Sequence, residues 1–285
     1  MKLIRQCFPL FLAVSLIFIP NSQAAGEKRP IVIATTTMIG SMLELLSGEE
    51  LEIRVLIPPG SCPGHFDFKP ADAARISQAN LIVRHDFQSY LDRKLVSQNP
   101  DLRVAMLESV GHAAGDLLIP SNHLIALEQM KEILESSFSS LAPVFETNFS
   151  AAREQIERAG RQARRRIEEA DFAGQKVLAS FRQAGFARWA WLEVVDQFTN
   201  SPDELSVMRL KEIVQSAREQ NIAFITGNLH SGGEAVARAI AAETGLPVCI
   251  LSNFPGSNER NSTYFKLLLD NINLLSKAGQ ETARP

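Results

Sequence analysis

The sequence has little cysteine, no excess of either charge, and no long apolar run after its first thirty residues. Three cysteines among 285 residues are too few for a disulfide-stabilised scaffold. With 29 Lys and Arg against 32 Asp and Glu, the net charge of −3 gives no general attraction to nucleic acid or anionic lipid. No later apolar stretch reaches the ~20 residues of a membrane span. We therefore expect no nucleic-acid partner and no membrane-spanning segment.

The motifs of common enzyme classes are also missing. There is no H-E-x-x-H pattern, no G-x-S-x-G nucleophile elbow and no G-x-x-x-x-G-K phosphate loop. We therefore predict no catalytic residues and no enzymatic activity. The sequence does contain 45% hydrophobic residues, which is enough for a sizeable core, and its length suggests about two domains.

The amino terminus has the pattern of a secretory signal. Lys2 and Arg5 precede an apolar run from Phe8 to Ile19, and Ser22-Gln23-Ala24 offers the small-x-small pattern of a cleavage site. The sequence therefore predicts a signal peptide over residues 1–24 and a mature protein that acts outside the cytoplasm.

Short apolar runs alternate with segments of helical spacing, first in one half of the chain and then in the other. Strands that alternate with helices indicate βαβ crossovers and a parallel sheet. The sequence thus predicts an α/β fold of two lobes, each with a parallel sheet flanked by helices. The eight predicted strands are Ile31–Ala34, Leu51–Ile57, Leu81–Val83, Val104–Leu107, Lys176–Ser180, Val194–Val195, Ile222–Thr226 and Val248–Leu251.

One long helix is predicted between the two halves, from Pro143 to about Ala170. Its apolar residues recur every three or four positions, and arginines and glutamates cover the other faces. The predicted organisation is an N-terminal lobe over 25–142, a linking helix over 143–172 and a C-terminal lobe over 173–285. Because open α/β sheets bind ligands at the carboxyl ends of their strands, we expect a ligand cleft between the lobes.

Several segments in the predicted order resemble one known family. They are Ile31 to Ile39, Leu56-Ile57-Pro58-Pro59-Gly60 with Pro70-Ala71-Asp72, Pro120-Ser121-Asn122, Glu243-Thr244-Gly245 and Tyr264 to Leu275. Together they resemble the zinc/manganese-type (cluster A-I) substrate-binding proteins of metal ABC importers, whose lobes are joined by one long helix. The resemblance implies a transition-metal ion as cargo, zinc or manganese, and the transmembrane subunits of an ABC permease as partner.

The four positions at which members of that family hold the metal carry other residues in this chain. Family members use three histidines and one carboxylate, or two of each, whereas the matching positions here are Gly64, Gly115, Phe181 and Asn253. Glycine and phenylalanine offer no metal-binding lone pair, and a neutral amide replaces a carboxylate poorly. The family's metal site is therefore not expected in its usual form.

A different set of ligands is available in the same strand-end loops. Cys62 and His65 form a Cys-x-x-His turn that can present a thiolate and an imidazole to one ion. His85 ends a first-lobe strand, and His230 follows a second-lobe strand in a glycine-rich loop that could instead offer backbone N–H groups to an anion. We predict these four as metal ligands, with Cys62 open to being a ligand, a free thiol or a disulfide partner. The residues predicted to line the cleft around them are Asp67, Asp86, His112, Phe181 and Asn253.

Two functions follow from these observations. The first is a periplasmic solute-binding protein that delivers a transition-metal ion, or a compound containing one, to an ABC permease. The second is a binding or interaction module that keeps the fold but has lost metal binding and takes another ligand or a protein. Aromatic residues near the same loops suit an organic ligand or a metal chelate, although they also suit packing between the lobes.

Overall fold

The computed structural model describes residues 28–111 and 114–282. The predicted signal peptide and His112 lie outside the described residues. Within these described ranges, eight strands form two four-stranded sheets, and every strand pair is parallel. The strands are β1 (Ile31–Ala34), β2 (Glu52–Val55), β3 (Leu81–His85), β4 (Arg103–Leu107), β5 (Lys176–Ser180), β6 (Glu193–Phe198), β7 (Phe224–Asn228) and β8 (Val248–Leu251).

The two sheets have the same topology. Their strand orders are β2-β1-β3-β4 and β6-β5-β7-β8, so each first strand lies between its second and third. The central strands β1, β3 and β7 are buried along their whole length, which explains their continuous apolar runs. The prediction of two α/β lobes with parallel sheets is confirmed.

Nine α-helices flank the sheets in the described part of the chain, and none of them is long and apolar enough to cross a membrane. They are α1 (Thr37–Ser47), α2 (Pro70–Ile76), α3 (Asp92–Gln98), α4 (Pro120–Ser137), α5 (Ala142–Glu168), α6 (Ala184–Trp189), α7 (Val207–Glu219), α8 (Gly233–Thr244) and α9 (Tyr264–Thr282).

The predicted linking helix is α5, which has 27 residues and extends about 40 Å at 1.5 Å per residue. Its apolar stripe is buried against α1, α4 and α9, and its other faces carry exposed ion pairs such as Arg158 with Glu154. The stripe belongs to a hydrophobic core that includes residues of both sheets, such as Val32 and Val177. Helix α5 therefore supports both lobes through one continuous core.

The carboxyl ends of both sheets open onto the same space. In each lobe the chain leaves the first and third strands toward helices on different sides of the sheet, which creates a crevice at the strand ends. Loops that follow β2 and β3 in one lobe, and β5 to β8 in the other, line this space. A cleft therefore lies between the lobes at the strand ends, as expected for this fold.

Candidate functional site

A cavity of about 250 Å³ lies between the lobes at these strand ends. Its wall combines aromatic rings, amides, one thiol, two imidazoles and one guanidinium. The lining residues are Cys62, Pro63, Gly64, His65, Phe87, Phe181, Arg182, Thr199, Asn200, Ser201, Glu204, Asn228, His230, Ser231, Asn253 and Phe254.

The Cys62 loop forms one wall and is held from below by two side chains. The backbone N–H of His65 donates to the carbonyl of Cys62, which closes a tight turn, and the carbonyl of Pro63 accepts from Gln88 and Tyr90 at 3.2 and 2.9 Å. This turn brings Sγ of Cys62 to 3.5 Å from Nδ1 of His65. The predicted Cys-x-x-His pairing of thiol and imidazole is therefore present in the structure.

The surroundings of Cys62 favour its thiolate. Burial raises its pKa, but hydrogen bonds with the Ser231 hydroxyl, the His65 ring and the backbone of Gly64 lower it, and the net pKa lies below the ordinary thiol value. Ser231 belongs to the second lobe and has a left-handed backbone at φ 59°. A thiolate is the form in which cysteine binds metal ions.

His85 is buried at the end of β3, and its Nε2 lies 2.9 Å from the hydroxyl of Thr36, the residue that caps α1. The His85 ring stacks on Phe87 with centroids 5.1 Å apart. Burial lowers its pKa to about 4, with Asp86 raising it and Arg182 lowering it. His85 is therefore a neutral imidazole at pH 7, but it is not among the residues that line the cavity.

His230 lines the cavity from the second lobe. Its Nε2 lies 3.2 Å from the hydroxyl of Ser252, while its buried Nδ1 has no hydrogen-bond partner among the described residues. The edge of the ring meets Phe254 with centroids 5.0 Å apart. Burial lowers the pKa of His230 to about 4, so its imidazole is neutral and able to act as a metal ligand.

The four predicted ligands are distributed over this site rather than gathered at one point. Cys62 and His65 are paired, whereas His85 and His230 bond to hydroxyl groups of their own lobes. Within the described residues, no three His, Cys, Asp or Glu side chains are grouped so that they could hold an ion together. Their joint role as ligands remains a prediction.

The predicted cleft-lining residues divide into two groups. Phe181 and Asn253 line the cavity. Asp67 lies outside the lining, since its side chain is 95% exposed and pairs with Lys94 at 3.2 Å. Asp86 is also outside the lining. Its carboxylate accepts a hydrogen bond from the backbone N–H of Phe87 at 2.7 Å.

Sequence reasoning missed Gln183, which organises the second-lobe wall. This buried residue donates from Nε2 to Oδ1 of Asn253 at 2.5 Å and to Oδ1 of Asn228 at 3.1 Å. Asn228 in turn donates to the carbonyl of His230 at 2.8 Å. Asn253, at the family's aspartate position, is therefore fixed by an amide network, and only the position of Gln183 in a strand-end loop could have pointed to it.

Arg182 and Asn200 are two further residues that sequence reasoning missed, and they lie in the loops after β5 and β6. Both residues line the cavity, and neither lies in a sequence motif that would have identified it as a site residue. Arg182 lies over the ring of Phe181. Asn200 is buried with both polar side-chain atoms unbonded among the described residues.

Comparison with known proteins places this geometry in a family. Residues 32–278 match the family model described as "ZnuA: Zinc-uptake complex component A periplasmic". An uncharacterized protein of Rickettsia prowazekii (strain Madrid E), RP014, is 23% identical over 154 residues, which is 51% of this chain and 50% of that protein. The chain therefore spans about half the length of this relative.

Solved structures share the whole fold. A Mn-bound periplasmic metal binding protein from Candidatus Liberibacter asiaticus has a TM-score of 0.73 at 16% identity, over 87% of this chain and 99% of that one. A crystal structure of ZnuA has a TM-score of 0.72 at 18% identity, over 88% and 100% of the two chains. At this identity the likeness shows the two-lobed architecture.

Proposed function

Because this chain belongs to the ZnuA family, the periplasmic component A of zinc-uptake complexes, we propose that it captures a transition-metal ion between its lobes and delivers it to an ABC permease. The family match spans both lobes and the linking helix. The signal-like amino terminus and the cavity at the strand ends support the proposal.

The pairing of Cys62 with His65 carries the metal part of the proposal. The two donor atoms lie 3.5 Å apart at the cavity wall, and the thiol has a lowered pKa. A thiolate and an imidazole together form a donor pair for borderline and soft ions. These residues supply binding chemistry at the place where the family's usual ligands are replaced.

The donor types favour zinc over manganese. Manganese prefers carboxylate, carbonyl and water oxygens, whereas thiolate and imidazole suit zinc. Among the described lining residues, Glu204 is the one carboxylate, and it is exposed and accepts a hydrogen bond from Thr199. We therefore propose a zinc-like ion as cargo.

Zinc usually takes four ligands, and among the described residues three thiol or imidazole groups line the cavity. Cys62 and His65 provide two, and Nδ1 of His230, which is buried and unbonded, is the third. Since the three are not grouped in this structure, we propose that the Cys62 loop shifts toward His230 when the ion binds. Water or a group brought with the cargo then completes the coordination.

A second candidate is a binding module of the same fold that takes an organic ligand without metal. The histidines His85 and His230 already satisfy Nε2 within their own lobes, and the rings of Phe87, Phe181 and Phe254 line much of the wall. Aromatic walls with a few placed polar groups are typical of sites for small organic molecules.

Elemental analysis and calorimetry test the proposed metal cargo. Protein isolated from the periplasm should contain zinc, and the chelator-stripped protein should bind zinc more tightly than manganese. Cys62→Ser and His65→Ala should each weaken zinc binding by at least about tenfold. Cys249→Ala is the matched control, because Cys249 is buried in β8 away from the cavity. A metal-free native protein that gives no heat with either ion would favour the second candidate.

A further inference from the structure

The guanidinium of Arg182 is a half-buried charge in the cavity wall. Its carbon Cζ lies 5.7 Å from the centroid of the Phe87 ring and 5.1 Å from that of Phe181. Among the described residues it makes neither a hydrogen bond nor an ion pair, and Cys62 and Asp86 act on it only through longer-range electrostatics. Burial lowers its pKa more than Cys62 and Asp86 raise it, so the surrounding protein compensates the charge only in part.

Other partly buried arginines have an acceptor within the protein, which is a carboxylate for two of them and the carbonyl of Trp189 for Arg164, an arginine that also lies over aromatic rings. Arg84 is held by Asp92 through two contacts of 2.5 and 2.6 Å, and Arg209 lies 2.6 Å from Asp196. A guanidinium that is taken partly out of water is costly unless a carboxylate or other acceptor receives its N–H groups. The missing acceptor of Arg182 is therefore to be sought in the ligand.

A second unsatisfied side chain lines the same cavity. Asn200 is only 7% exposed, yet neither Nδ2 nor Oδ1 has a hydrogen-bond partner among the described residues. Buried amides are normally bonded, so Asn200 is a lining residue with hydrogen-bonding capacity that the described part of the protein does not use. Nδ1 of His230 is unbonded in the same wall.

The cavity has room for a cargo larger than a bare ion. Its volume of about 250 Å³ equals that of about eight water molecules in the liquid, at ~30 Å³ each. The space is below the ~300 Å³ at which sites for drug-sized molecules begin. A small organic acid fits between these limits.

From these observations we infer that Arg182 and Asn200 form an anion subsite, which binds a carboxylate group of a small organic acid that carries the metal into the cavity. Arginine matches the planar geometry of a carboxylate, and the Asn200 amide N–H₂ donates to the same or a second oxygen. This inference rests on the proposed function and specifies its cargo as a metal complex with a low-molecular-weight carboxylate.

Calorimetry with citrate as the principal probe tests the subsite. Chelator-stripped protein is titrated with zinc alone, with citrate alone and with the zinc–citrate complex, and malate and histidine serve as further carboxylates. We expect the complex to bind more tightly than either component. Arg182→Gln should weaken binding of citrate and of the complex by about 10- to 100-fold, the loss typical of a charged hydrogen-bonded pair. Binding of zinc alone should not weaken, and it should become tighter, because Arg182→Gln removes a charge that repels the cation.

Three further variants separate a role in binding from a role in folding. Arg182→Lys keeps the charge but loses the planar donor fork, so it should be intermediate. Asn200→Asp keeps the shape and adds a repelling charge, so it should weaken citrate by at least about tenfold. Arg188→Gln removes an exposed positive charge from the same segment and should change nothing. Circular dichroism verifies that each variant is folded.

The outcomes distinguish this inference from the proposed function. Tight binding of zinc alone that neither citrate nor Arg182→Gln changes would overturn the anion subsite and leave metal capture in place. Binding of citrate that depends on Arg182 but gains nothing from zinc would support the subsite and overturn metal capture. No binding of any carboxylate, with or without zinc, would overturn the subsite.

Discussion

Sγ of Cys62 lies 3.1 Å from Oγ of Ser231, so that one side chain from each lobe meets at the wall of the cavity. The two residues are 169 positions apart in the sequence. Together with the His65 ring, this hydroxyl lowers the pKa of the thiol against the opposing effect of burial. A contact between the lobes therefore contributes to the lowered pKa of a first-lobe cysteine.

The first prediction concerns that reactivity. The alkylation rate of Cys62 with iodoacetamide should rise with a midpoint below the ~8.5 of a free thiol, because the thiolate is the reacting species. Ser231→Ala should move the midpoint upward, since it removes one stabilising hydrogen bond. Mass spectrometry of tryptic peptides separates Cys62 from Cys249, which is buried and has a raised pKa and should stay unmodified. An unshifted Cys62 profile in the native protein would contradict the contact.

The second prediction concerns stability at acid pH. Burial lowers the pKa of His123 from 6.5 to about 3, and that of His85 and His230 to about 4. The unfolded chain therefore binds protons below pH 6.5 that the folded chain does not bind. The stability contribution is complete above about pH 6.5 and is lost as the pH falls toward 4, with a slope of up to about 1.4 kcal/mol per pH unit for each histidine.

Urea denaturation at pH 7, 6 and 5 measures this loss. His123→Phe is the informative variant, because the His123 ring stacks on Tyr264 with centroids 3.6 Å apart and phenylalanine keeps that packing. The variant should have a shallower dependence of the unfolding free energy on pH. If the unfolding free energy of the original protein and that of His123→Phe depended on pH with the same slope, a neutral buried His123 would be excluded.

The third prediction concerns the close approach of the lobes at Gly185. A Cβ at this position in α6 would overlap the carboxylate of Asp116, which is buried at 4% exposure just before α4. Gly185→Ala should therefore destabilise the protein by about 1–3 kcal/mol, as overpacking does. Gly64→Ala is the control, since the nearest atom to its new Cβ is Sγ of Cys62 at 3.9 Å, an ordinary contact. Thermal unfolding compares the two variants, and equal stability would contradict the packing.

The fold could be predicted from the sequence where side chains are fully buried. Strands β1, β5 and β8 have the predicted bounds because their apolar runs are unbroken. The prediction for β6 covers only Val194 and Val195, whereas the strand extends over Glu193–Phe198, because most of its residues are only partly buried. The long helix α5 was clear from its stripe, since α1, α4 and α9 bury one face only.

The candidate site was less accessible to such reasoning. The spacing of Cys62 and His65 within one turn is local, so the sequence shows that they can meet. Ser231 and Gln183 bond to residues of distant loops, and Arg182 has no hydrogen-bond partner among the described residues. Only the packing of the two lobes determines these arrangements. From the sequence alone, a glutamine and an arginine in a strand-end loop are expected to be solvated surface residues. Their role at the cavity becomes visible only when the opposite lobe is present in the structure.

The last prediction restores the carboxylate of the family pattern through Asn253→Asp. Oδ1 of Asn253 accepts from Nε2 of Gln183 at 2.5 Å, and a carboxylate oxygen accepts the same hydrogen bond, so the wall should stay folded. The new negative charge lies in the cavity that Cys62 and His230 also line. It should strengthen zinc binding by about tenfold, or ~1.4 kcal/mol, and weaken citrate binding through repulsion.

Gln197→Glu adds the same charge at an exposed position of β6 and should leave both affinities within about twofold. Calorimetry of the two variants distinguishes these outcomes. A gain in zinc affinity that Gln197→Glu reproduces would reflect the net charge of the protein rather than the site. The absence of any gain would place the ion away from Asn253.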